Sequence, residues 1–88
     1  MSVSADVAWA GKVQDCAHQA SVVAAVRQAR LERVEERQVE AYLQAGASWP
    51  AAYNPAIPLV TPWVYGMKLR DVKANDLAAA WREMCLAQ

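Results

Sequence analysis

The sequence predicts an all-α chain, and three observations carry that reading. Alanine, the strongest helix former, is the commonest residue; the 3 glycines are isolated from one another; and no proline occurs before Pro50. With 88 residues the chain is read as one small domain over 1–88, and a domain of that size buries only roughly 60% of the surface its unfolded form exposes. Its private core is therefore expected to be thin.

The first element is expected to be one long helix over 4–45, roughly 40 residues and about 60 Å. Ser4 or Asp6 can cap its start, and Gly46 followed by Pro50 provides a stop. One stripe along it reads Trp9, Val13, Cys16, Ala20, Val23, Arg27, Leu31, Val34, Gln38, Ala41 and Ala45. Its steps of four and three approach a heptad, with one slip between Val23 and Val34 where two steps of four adjoin. Alanines and a cysteine keep the seam light, so a neighbouring helix can come close. Arg27 and Gln38 within the seam need partners there. Trp9, Arg27, Leu31 and Val34 are accordingly the candidate partner-binding residues of this helix. Between Val22 and Val26 the apolar character spreads round the helix, which predicts cover from more than one direction.

The second segment, 46–66, holds all 4 prolines and reads as an extended arm, because proline disfavours helix interiors and central strands alike. It is too apolar for a solvated linker. Trp49, Tyr53, Trp63 and Tyr65 are its candidate partner-binding residues, since amphipathic aromatics dominate interface hot spots. Pro55-Ala56-Ile57-Pro58 matches a bare Pro-x-x-Pro, but no arginine flanks it to orient such a ligand. The sequence also allows a short strand within 63–70, with Gly66 as a bend. A second helix follows over 75–87, capped by Asn75, with Leu77, Trp81, Met84 and Cys85 on one face.

Charge and motif content narrow the function. Lysine plus arginine number 9 and aspartate plus glutamate 9, a balance that gives no long-range attraction to nucleic acid or an anionic membrane. The longest apolar run, 21–26, is far short of a membrane span, and Met1 to Ala10 has no basic lead-in, so neither export nor anchoring is expected. The 2 cysteines, far apart in sequence, read as separate reduced thiols in a cytoplasmic protein. Cys16 and His18 stand two apart on a helix and point about 200° from each other, so they do not cooperate as nucleophile and base. No metal-ligand spacing and no phosphate cradle is present, and neither metal nor cofactor is expected. Glu32, Glu35, Glu36 and Glu40 on one flank and Arg30, Arg33 and Arg37 on the other read as the selecting borders of a helix–helix seam.

The expectation is a non-enzymatic structural or assembly subunit of a larger homo- or hetero-oligomer, for which a bacteriophage virion is the specific setting inferred. The alternative is a small cytoplasmic regulator or inhibitor that binds one target protein.

Overall fold

The computed structural model describes the backbone from Val3 to Gln88 and side chains from Gly11 onward. Five α-helices and no strand occur among these residues: α1 (Val3–Leu31), α2 (Val39–Gln44), α3 (Ala56–Tyr65), α4 (Leu69–Ala74) and α5 (Leu77–Leu86). Two 3-10 turns, Glu36–Gln38 and Ala51–Tyr53, lie between them. The all-α class stands. The division into segments differs from the sequence reading, and each difference has a local cause.

The long helix stops at Leu31 and not at Ala45. It spans 29 residues, about 43 Å at 1.5 Å per residue. Arg33 adopts φ 65°; its N–H donates to the Arg30 carbonyl at 3.2 Å and the Val34 N–H donates to the Ala29 carbonyl at 3.0 Å. That pair of bonds is the Schellman arrangement that closes a helix C-terminus, here with arginine where glycine is usual. Val34 packs onto the core beside Ala29, supplying the apolar contact that accompanies the motif. The lower part of the expected stripe, Gln38, Ala41 and Ala45, therefore leaves α1 and is exposed.

The proline-rich segment is largely helical where an extended arm was expected. Pro55 is the N-cap of α3 and Pro58 falls in its first turn, where the missing N–H has no intrahelical partner to lose. Pro62 does lie in the interior. Ile57, Val60, Thr61 and Val64 are all buried and lie on one side of a helix, and that packing outweighs the local cost. Thr61 Oγ1 satisfies its burial by donating to the Ile57 carbonyl at 2.6 Å. The strand allowed at 63–70 is instead the end of α3, the bend at Gly66 and the start of α4. A side chain at Gly66 would meet the Pro62 carbonyl oxygen at 3.0 Å, so this tight exit suits glycine.

The last helix starts at Leu77. Its N-cap is Asp76, whose carboxylate accepts from the Ala79 N–H at 3.0 Å, while Asn75 closes α4 by donating from Nδ2 to the Asp71 carbonyl at 2.8 Å. The cap thus sits one residue later than expected, because Asn75 serves the preceding helix.

α1 runs between α3 and α5, which pack on it from different sides, as the spread of apolar residues at 22–26 requires. Val22, Val23, Val26 and Ala29 of α1 meet Val39 of α2, Ile57, Val60 and Val64 of α3, Val72 of α4, and Leu77 of α5. The core is built chiefly from valine, each fully buried one contributing on the order of 1.5 kcal/mol. Arg27 ties α4 down: its Nε donates to the Val72 carbonyl at 2.9 Å and its NH2 to the Lys73 carbonyl at 3.1 Å. These are last-turn carbonyls with no helical partner of their own.

Candidate functional site

Most aromatic side chains of residues 49–81 are turned to internal duty. Trp49 is buried, with Nε1 donating to Asn54 Oδ1 at 2.9 Å. Tyr53 donates to Asp15 Oδ1 at 2.7 Å and lies against the His18 ring, centroids 4.9 Å apart. Asp15 Oδ2 in turn accepts from Gln19 Nε2 at 2.9 Å, and Gln19 Oε1 accepts from Trp81 Nε1 at 2.9 Å. A hydrogen-bonded chain thus joins the turn at Ala51–Tyr53, α1 and α5. Trp63 packs on Trp81 with centroids 5.4 Å apart. Tyr65 donates to the Val34 carbonyl at 2.6 Å, under the Arg30 guanidinium 5.3 Å from its ring centroid.

Of the residues singled out from the sequence, then, Arg27, Trp49, Tyr53, Trp63 and Tyr65 hold elements of this chain to one another. Leu31 and Val34 are partly buried against its core. Trp9 belongs to α1 by its backbone, and its side chain lies outside the described residues. The proposed seam does not continue past Leu31. Its flanking charges fall across the break between α1 and α2, where Arg37 and Glu35 form an exposed pair at 3.0 Å, of a kind that contributes little.

Cys16 and Cys85, read from the sequence as separate thiols, form a disulfide with Cα atoms 5.7 Å apart. This corrects the reduced-thiol reading. Their separation of 69 residues hid the pairing, since only the return of α5 along α1 brings them together. The disulfide borders an open groove of about 540 Å³ between α1 and α5, whose other walls include Lys12, Asp15, Gln19, Trp81 and Met84. Lys12 Nζ donates to the Gln88 carbonyl across one end.

What the fold leaves outward is the far side of α3. Pro55, Pro58, Leu59 and Pro62 are exposed, Leu59 at 75%. No residue of this helix carries a charge; the Thr61 hydroxyl is buried and the Tyr65 hydroxyl is bound to the Val34 carbonyl. Surface helices ordinarily present charged residues on the side opposite the core. Glu36, Arg37 and Glu40 border this face, where they line a shallow cleft with Pro58, Thr61 and Pro62. The signal was present in the sequence: Pro55, Leu59 and Pro62 stand at i, i+4 and i+7, and Ile57, Val60 and Val64 stand at i, i+3 and i+7 on the buried side. The prolines masked it.

Three tyrosines titrate above their ordinary value. Hydrogen bonding to Glu32 raises Tyr42, hydrogen bonding to Asp15 raises Tyr53, and burial raises Tyr65. Each stays neutral and donates through the physiological range. Among the described residues no group of three potential ligands could hold a metal ion, and no helix is long and apolar enough to cross a membrane. Comparison with protein families, with curated proteins and with solved structures finds no match to this chain.

Proposed function

We propose that this chain is a non-enzymatic assembly subunit that docks another protein on the outer face of α3. The observation that supports this most directly is the exposure of an uncharged helix face centred on Leu59. An apolar face bordered by charged residues is the ordinary form of a protein-binding surface. The groups best suited to chemistry are engaged elsewhere, which supports the same reading: both cysteines are joined, Asp15 accepts from Tyr53 and Gln19, and His18 lies tilted against Tyr53. The disulfide favours an oxidising setting for the folded chain over a reducing cytoplasm.

The experiment is site-specific photocrosslinking in the native host, with the reactive residue at position 59 and, as a control, at the exposed polar position 82. An adduct of one defined mass at 59 and none at 82 is the expected result. Equal labelling at both positions, or none at 59, overturns the proposal. The copy number of the adducted complex separates a subunit of a larger assembly from a regulator that binds one target.

A further inference from the structure

We infer that the Cys16–Cys85 disulfide is a redox latch on α5: reduction lets the C-terminal half of this helix leave α1 while the rest of the bundle stays folded. The distribution of burial along α5 carries the inference. Its one buried side chain is Leu77, at its first position, whereas α3, of equal length, buries Ile57, Val60, Thr61 and Val64. Beyond Ala78, the residues Ala79, Ala80, Arg82, Glu83 and Met84 are exposed, Met84 at 50%. What secures this half to α1 is Trp81, partly buried through Gln19 and Trp63, the disulfide and, at the chain's end, the Lys12 bond to the Gln88 carbonyl, with Leu86 also partly buried. A helix of this length is marginal by itself in water. Of α5 the valine core of α1 and α3 buries only Leu77, with the partly buried Ala78 and Trp81 packed against it, so it does not depend on the helix beyond Trp81.

The disulfide is also within reach of a reductant. Both cysteines line the open groove between α1 and α5; Cys85 is partly exposed, whereas Cys16 is fully buried. A dithiol reductant attacks as its thiolate at the Cys85 sulfur, and the Cys16 sulfur departs as a thiolate. The second thiol of the reductant then attacks its own sulfur in the mixed disulfide and releases Cys85. One S–S bond is broken in the chain and one formed in the reductant, and the two protons of the dithiol end on Cys16 and Cys85. Departure of Trp81 uncovers Trp63, which lies four residues after Leu59 along α3. Reduction therefore widens the apolar face of that helix; this consequence, unlike the latch itself, rests on the docking role proposed above.

Hydrogen exchange read by mass spectrometry on the full chain, oxidised and after treatment with dithiothreitol, tests the latch, with alkylation mass confirming the state of both thiols. Amides of 81–87 are expected to exchange at least about tenfold faster after reduction, while those of 22–31 and 57–65 change by less than about threefold, as for a local opening. Reoxidation restores the first pattern, and the Cys16→Ala/Cys85→Ala variant reproduces the reduced one without a reductant. Unchanged exchange in 81–87 overturns the inference, because α5 then holds without the bond. Loss of protection throughout the chain overturns it equally, since the disulfide is then a staple for the whole fold. Neither outcome bears on docking at Leu59, which the crosslinking reads separately.

Discussion

Arg33 occupies the one left-handed backbone position of a non-glycine residue among those described, and it does so at the point where the chain turns from α1 toward α2. An L-residue with a side chain pays on the order of 1 kcal/mol for this conformation, which glycine adopts at little cost. The Arg33 side chain is exposed, so removing it leaves no cavity. Arg33→Gly is therefore expected to raise unfolding stability by about 0.5 to 1 kcal/mol, less than the full conformational gain because glycine also loosens the unfolded chain. Urea unfolding with an unchanged slope measures this. A loss of stability would mean that the exposed guanidinium makes a contribution larger than the backbone strain.

At the scale of elements, α3 shows how packing overrides composition. Pro62 removes one backbone donor from the helix, and its ring crowds the Pro58 carbonyl. Proline in such a place costs about 3 kcal/mol relative to alanine, partly offset by about 0.4 to 1 kcal/mol from stiffening the unfolded chain. Pro62→Ala is expected to stabilise the fold by about 2 to 2.6 kcal/mol, with circular dichroism melts as the readout. The same substitution removes an exposed ring from the proposed docking face, so a stability gain accompanied by weaker crosslinking at position 59 is the expected pair of results. If Pro62→Ala destabilises the chain, the ring contributes more through its neighbours than its backbone costs.

For the whole molecule, tyrosine hydroxyls bind distant parts of the chain to one another: Tyr53 to Asp15, Tyr42 to Glu32 and Tyr65 to the carbonyl of Val34. All have folded-state values above the ordinary 10.0, through hydrogen bonding to the carboxylates for Tyr42 and Tyr53 and through burial for Tyr65. The neutral phenol is thus favoured by folding. Its contribution is fully present below about pH 10 and is lost as the pH rises through the raised folded values. Unfolding midpoints should accordingly fall on the alkaline side of that point, in step with tyrosinate absorbance. Tyr53→Phe should remove part of that slope, since the ring stays against His18 while the titrating donor to Asp15 is gone. A midpoint indifferent to tyrosinate formation would show that these bonds are not maintained in solution.

The sequence by itself determined the helical class, the absence of any proline break before Pro50, the double cover around Val22 to Val26, and the face shared by Leu77, Trp81 and Cys85, although Met84, read onto the same face, is exposed. These follow from local propensity and from a 3.6-residue period, both of which are written in neighbouring residues. The alternation of buried and exposed sides in α3 was written there too, at Ile57, Val60 and Val64 against Pro55, Leu59 and Pro62, but the prolines argued locally for an extended chain. Only the tertiary structure decided that α1 ends at Leu31, because the residues from Glu32 to Arg37 are ordinary helix formers and the stop depends on Val34 finding the core. It also turned Trp49, Tyr53, Trp63, Tyr65 and Trp81 to contacts within the chain and left Leu59 outside, a choice that composition cannot make. The disulfide belongs to the same class: Cys16 and Cys85 become neighbours through the path of every helix between them, and no pattern in either segment records that path.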